Sequence, residues 1–236
     1  MKKIKGKLII IDGTDGSGKA TQTKLLIKRL KKEGYKTAAL EFPQYGAKSA
    51  GLIENYLAGL YGTADEVGPY RASVFYAVDR YDASQKIRRW LTEGRVVVAD
   101  RYVTANMGHQ GSKIKSAVKR QQFFNWLNNL EFKIFDLPRP NLNIILYVPI
   151  DITLKLMTKR GGKPDLHEAD VNHLKAAAKT YVEMTKTLPG LKLINCAINK
   201  HLLTPEEIHE MIWGVVKSKV LRQRPSRGGQ AHPRFD

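Results

Sequence analysis

Residues 7–23, KLIIIDGTDGSGKATQT, constrain the fold more than any other stretch of the chain. Leu8 to Ile11 form an apolar run that stops at a glycine-rich turn, and the turn opens a helix. From Gly13 to Lys19 the chain reads G-T-D-G-S-G-K. This is the spacing of a P-loop, in which backbone N–H groups wrap nucleotide phosphates while the lysine reaches the β and γ oxygens. Gly13, Gly16 and Gly18 suit such a turn because glycine accepts positive φ and lets backbone approach an anion. Thr14, Asp15, Ser17, Lys19, Ala20 and Thr21 complete the candidate ATP-binding segment. One position departs from the motif: Ala20 stands where a Ser or Thr hydroxyl would bind Mg²⁺, and Thr21 points elsewhere on the helix. A Mg²⁺ ion would then be held by the triphosphate, by water and by carboxylates from other segments, which suits an ion that keeps several waters. Asp15 and Asp100 are the first candidates.

The rest of the chain alternates short apolar runs with helical patterns. Helices are expected at 20–34, 47–60, 70–92, 117–135, 152–159 and 165–188, with a last one capped by Thr204-Pro205-Glu206-Glu207 and running to about Leu221. Residues 61–69 read as a loop, and 103–114 as a loop with a short helix. Strands are expected at 37–42, 95–100, 142–148 and 191–195, and Val96-Val97-Val98-Ala99 is apolar without alternation, as in a parallel strand buried on both faces. Asp100 closes that strand in the position of a Walker-B-type carboxylate, with Arg101 next. Strand–helix alternation implies an α/β fold, a three-layer doubly wound sandwich around a parallel five-stranded sheet of the P-loop NTPase type. Phe42-Pro43-Gln44-Tyr45 lies at a strand's carboxyl end, where ligands bind in open α/β sheets.

At 236 residues the chain is expected to form one domain over 1–221, with the Gly- and Pro-containing segment 222–236 as a disordered tail. No run of eighteen apolar residues exists, the N-terminus shows no small-residue cleavage site, and the single Cys196 has no disulfide partner. A cytoplasmic, membrane-free protein is expected. The net charge of +18 attracts anions generally. Its Lys and Arg residues are spread along the chain without the aromatic interleaving of a single-strand platform, so the excess reads mainly as solvated surface rather than a nucleic-acid interface.

Four blocks converge: G-x-D-G-S-G-K-x-T-Q at 13–22, F-P-x-Y at 42–45, F-Y-A-V-D-R at 75–80 and D-R-Y-x-x-x-N-x-x-x-Q-G at 100–111. Together they resemble the thymidylate kinase family over about residues 7–190. A weaker block, 165–170, is similar to the segment after that family's lid. The resemblance implies transfer of the γ-phosphoryl of ATP to a deoxynucleoside monophosphate, dTMP to dTDP, with Mg²⁺ as cofactor. It makes Lys19, Arg101, Asp15 and Arg160 the catalytic candidates, with Arg160 and Lys163 as cations on a lid at about 159–165. Phe42, Pro43 and Tyr45 would line the monophosphate pocket. Tyr76 would stack on the base, Arg80 and Asn106 would read its edge, and Arg101 would contact the acceptor phosphate. Glu168 matches a carboxylate near the acceptor or metal, and equally fits an acidic residue placed by the helix dipole. The resemblance also implies a homodimer.

Departures from the family pattern are Gln44 and Leu166, each where an arginine is common, His109 in place of a Tyr or Phe beside the sugar, and Ala20. They leave two other readings open: a kinase of another nucleotide or deoxynucleoside, and a P-loop protein that binds nucleotide or nucleic acid without transferring phosphate.

Overall fold

The computed structural model describes residues 6–160 and 170–221, and Arg160 by its backbone alone. Lys163, Glu168, Leu166, the rest of the basic turn and the tail from Arg222 lie outside the described residues, as does the Arg160 side chain. Along the chain, β1 (Lys7–Gly13) leads through α1 (Lys19–Lys32) to β2 (Thr37–Glu41). Two helices, α2 (Gly51–Leu57) and the long α3 (Ala64–Thr92), lead to β3 (Val96–Asp100), and α4 (Val103–His109) and α5 (Ala117–Asn129) to β4 (Leu142–Tyr147). Next come α6 (Ile150–Arg160), α7 (Val171–Thr187) and β5 (Leu191–Asn195), then β6 (Ala197–Ile198), β7 (His201–Leu202) and α8 (Pro205–Lys219).

The five long strands form the expected parallel sheet, in the order β2-β3-β1-β4-β5. β1 is central, and its side chains alternate between two apolar layers. Leu8 and Ile10 join Ile87 and Leu91 of α3, Phe123 and Leu127 of α5, and Tyr181 and Met184 of α7. Ile9 and Ile11 join Leu26 and Leu30 of α1 and Ile208, Ile212 and Val216 of α8. Burial on both faces is why β1 and β3 show no polar alternation in the sequence. The carboxyl ends of β1, β2 and β3 lie side by side, and the chain leaves each of them toward the same edge of the sheet.

Three local differences from the sequence reading have identifiable causes. The 61–69 stretch is not a loop throughout, because Thr63 starts α3 with a capping box: its Oγ1 accepts from Glu66 N at 3.3 Å and Glu66 Oε2 accepts from Thr63 N at 2.7 Å. Helical geometry then breaks at Gly68 (φ 74°), ahead of Pro69, and resumes. The helix expected to run to 135 stays α-helical to Asn129 and widens into a π turn at Leu130–Ile134. The β6-β7 hairpin turns at Asn199 and Lys200, both at positive φ, without the Asn-Gly or Asp-Gly pair that marks such turns in sequence. Among the described residues no helix is long and apolar enough to cross a membrane.

Candidate active site

The turn between β1 and α1 has the geometry its glycines imply. Gly13 adopts φ 140°, and a Cβ there would lie 2.4 Å from the Leu146 carbonyl oxygen of β4, so no larger residue fits. Gly18, at φ 87°, precedes α1 in the left-handed region. Lys19 folds back over the turn: its Nζ donates to the Thr14 carbonyl at 2.9 Å and lies 3.9 Å from Asp15 Oδ1. Burial and the nearby Arg101 cation lower the Lys19 pKa, and Asp15, Asp100 and Asp12 oppose that shift. A phosphate placed here would restore the charge balance that burial disturbs.

Arg101 follows β3 at φ 65°, a left-handed conformation that costs a non-glycine residue about 1–3 kcal/mol and is found mostly where surroundings impose it. Its amide donates to Ile11 O at 2.9 Å. Its guanidinium is shared: Nη2 pairs with Asp15 Oδ1, Nη1 donates to Gly13 O at 3.4 Å and lies 3.0 Å from His109 Nε2. Burial disfavours the cation, but the carboxylates of Asp15, Asp12 and Asp100 outweigh it and hold Arg101 firmly protonated. Because a guanidinium only donates, His109 Nε2 must accept, which puts the His109 proton on Nδ1, 3.4 Å from His173 Nε2. Burial, and then the Lys113 charge, push His173 down to about 4, so this second imidazole is a neutral acceptor.

Behind these groups stands Asp12, fully buried at the end of β1. It accepts from Gly13 N at 2.8 Å, Thr104 Oγ1 at 2.6 Å and Tyr181 OH at 2.9 Å, and Arg101 Nη1 is 3.9 Å away. Burial and the Asp12 charge raise the Tyr181 pKa well above its usual value, which keeps the phenol a donor. Asp100 is raised as well, by burial, against the pull of Lys19 and Arg101. The Tyr181 ring lies against Gly108 so closely that a Cβ there would be 2.4 Å from the ring. Gly108→Ala is therefore expected to destabilise the protein by about 1–3 kcal/mol, the range for overpacking a core. For a chain of this length that is a fall in Tm of roughly 3–10 °C, and an unchanged melting curve would show that the ring has room to move.

These residues open onto a cavity of about 490 Å³. Asp15, Gly16, Gly18, Lys19, Ala20 and Thr21 form one part of its wall, Asp100 and Arg101 another, and Phe42, Pro43, Tyr45, Tyr76, Arg80, Asn106 and His109 much of the rest. Gly13, Thr14 and Ser17 belong to the same turn but not to that wall. The Phe42–Pro43 peptide is cis. Gln44, where the family often has arginine, turns away from the cavity. Its Nε2 donates to the carbonyl and Oδ1 of Asp79 and its amide to Asp79 Oδ2, which ties the segment after β2 to α3. Tyr76 is set edge-on against the buried Tyr56, whose hydroxyl accepts from Lys113 Nζ at 2.9 Å.

Arg80 is 1% exposed, and Nε and Nη2 form a two-pronged ion pair with Glu131 at 2.6 and 2.7 Å. Its remaining N–H groups have no protein acceptor among the described residues. Asn106 donates from Nδ2 to Ser73 O at 3.1 Å, with Glu131 Oε1 at 3.5 Å. Both neighbours are acceptors, so the amide cannot be turned round, and Oδ1 is left as the group Asn106 offers to a ligand.

Comparison with known proteins decides the family. The thymidylate kinase family model matches residues 11–212. The chain belongs to the thymidylate kinase family. It is 26% identical over 219 residues to a probable thymidylate kinase of Pyrococcus horikoshii, covering 92% of this chain and 99% of the relative. It is 28% identical over 233 residues to a thymidylate kinase of Rhodopseudomonas palustris, covering 97% of this chain and 95% of the relative. Among solved structures, a thymidylate kinase from Candida albicans superposes with a TM-score of 0.71 at 22% identity, covering 91% of this chain and 92% of that one.

Within this thymidylate kinase fold, sequence reasoning missed Asp12, Glu131, His173 and Tyr181, and the cavity-lining Glu41, Leu57, Ala105, Gln110 and Leu156. Two signals were available. Asp12 ends an apolar parallel strand just as Asp100 does. Glu131 follows Phe124 and Leu127 at i+7 and i+4, on the apolar face of its helix, where an unpaired carboxylate is not tolerated. Nothing in the sequence links His173 or Tyr181 to β1.

Proposed function

We propose that this member of the thymidylate kinase family transfers the γ-phosphoryl of ATP to the 5′-phosphate of dTMP, giving dTDP and ADP. The observation that carries the reading is one cavity with the P-loop lysine at one part of its wall and a donor-plus-acceptor pair, Arg80 and Asn106, at another. A guanidinium offers only donors, which suits the 4-oxo group of thymine; the Asn106 Oδ1 suits the adjacent N3–H. Cytosine presents the opposite pattern, an amino group beside a bare nitrogen. Tyr76 would supply the stacking face, and Phe42, Pro43, Tyr45 and His109 would enclose the rest of the acceptor.

Phosphoryl transfer asks the protein for positioning and charge compensation. Residues 13–21 would cradle the donor phosphates with Lys19 on the β and γ oxygens. Arg101 would exchange its Asp15 partner for the acceptor phosphate and bring an acceptor oxygen in line with the γ phosphorus, whose bond to the bridging oxygen of ADP breaks as the new P–O bond forms. Asp15 and Asp100 both line the cavity beside Lys19, and carboxylate oxygens are the donors Mg²⁺ selects. They would hold that ion together with donor phosphates and water, in place of the hydroxyl that Ala20 lacks. Bound there, the ion would offset the negative charge of the phosphates. The homodimer that the family resemblance implies stays part of this reading, and the exposed Tyr70, Val74, Val78 and Tyr81, on successive turns of α3, support it.

A coupled assay with ATP, Mg²⁺ and a panel of nucleoside monophosphates tests the function. Discrimination for dTMP over dCMP of at least roughly 10²-fold in kcat/KM is expected, because dCMP would leave both Arg80 and Asn106 facing groups of the wrong polarity. Turnover of CMP or AMP with none of dTMP would overturn the reading.

A further inference from the structure

We propose that Glu131, a carboxylate behind the cavity wall, is a positioning residue that sets which base edge the cavity accepts. This rests on the base-edge reading above. Glu131 is 0% exposed, at the π turn where α5 ends, and it touches both members of the reading pair. Helical π turns of this kind recur at functional sites.

A guanidinium is planar, so once Nε and Nη2 are engaged by the two Glu131 oxygens, the direction of every remaining Arg80 N–H is fixed. The same carboxylate, with Oε1 at 3.5 Å and the Ser73 carbonyl beside it, faces the Asn106 amino group with acceptors only. The buried anion therefore fixes the donors that Arg80 turns toward the cavity and, together with the Ser73 carbonyl, holds the Asn106 amino group back so that its Oδ1 faces the same space. An amide at 131 would carry N–H groups of its own. It would give Arg80 a single acceptor, and by donating toward Asn106 it would leave the Ser73 carbonyl alone to hold the asparagine's amino group, so a second orientation of Asn106 becomes less disfavoured. In that orientation it offers N–H groups to a ring nitrogen, as a cytosine nucleotide requires.

Glu131→Gln is the direct test, with kcat and KM measured for dTMP and dCMP and the fold checked by circular dichroism. The KM for dTMP is expected to rise at least about 10-fold with saturated kcat changed less than about 3-fold, and the dTMP-to-dCMP ratio in kcat/KM to fall at least about 10-fold. A role in folding alone would reduce active enzyme and lower kcat for both nucleotides together, leaving KM and the ratio where they were. Glu131→Asp keeps the buried charge but withdraws it by one methylene, and is expected to move KM and the ratio in the same direction. If the glutamine variant does not fold, the aspartate variant decides alone. A wild-type preference for dTMP that survives intact in the folded variants overturns the proposal; a wild type with no such preference overturns the base-edge reading and the proposal with it.

Discussion

Lys19→Ala is expected to lower kcat by about 10²–10³-fold, the scale of losing one fixed charge opposite negative charge that builds up in a transition state. Lys19 is the one cation supplied by the P-loop itself, and its present partners are the Thr14 carbonyl and the carboxylate of Asp15, both within five residues. Its burial already opposes the charged form, so the ammonium group is held in an environment that favours an incoming anion. Removing the side chain withdraws that charge without opening the sheet, because α1 is anchored by Leu26 and Leu30 further along. The melting temperature is therefore expected to stay near that of the wild type while single-turnover transfer collapses. A variant that turns over near the wild-type rate would remove Lys19 from the role assigned to it.

Arg101→Ala is expected to cost at least about 10²-fold in kcat, with a second and separable effect on stability. The side chain reaches three groups at once, Gly13 O, His109 Nε2 and Asp15 Oδ1, and all three lie around the space where donor and acceptor would meet. Alanine loses those contacts and keeps the left-handed backbone, whereas Arg101→Gly loses the same contacts and relieves the backbone. Both variants should be equally slow, with the glycine variant the more stable by about 1 kcal/mol. Arg101→Lys should not rescue activity, since an ammonium group cannot span the three partners as a planar fork does. Kinetics and thermal melts on the three variants check this; near wild-type turnover in the alanine variant would refute the assignment, and equal melting temperatures for Ala and Gly would show that the backbone at 101 stores no strain.

The contrast between residues 8–19 and residue 131 shows how far the sequence could be read. An apolar run, three glycines and a lysine at fixed offsets are local: the chemistry that makes the P-loop is complete within a dozen residues, and no distant partner is needed to recognise it. The same holds for β3, whose unbroken Val96-Val97-Val98-Ala99 announces burial on both faces and whose last residue is the carboxylate of Asp100. Tyr76, Arg80 and Asn106 were found through the resemblance of their spacing, and they do line one cavity. What the spacing did not carry was the state of those side chains. Arg80 looked like a cation waiting for a ligand, whereas it is already engaged on one edge by Glu131, fifty-one residues away in sequence. His109 looked like an imidazole in place of an aromatic ring, whereas Arg101 on one side and His173 on the other fix its tautomer.

By itself the sequence determined the parallel α/β sheet and the glycine-rich turn that carries Lys19, because backbone geometry, strand burial and helix periodicity depend on neighbours a few residues apart; part of the cavity wall came from the family resemblance, and the rest was not legible. Only the tertiary structure decided which way those groups face. Asp12, Tyr181, His173 and Glu131 come from β1, α7 and the end of α5, and each acts on a site residue far away along the chain. Polarity in a buried site is set by whichever acceptor or donor packs behind it, and that partner is chosen by the fold rather than by spacing.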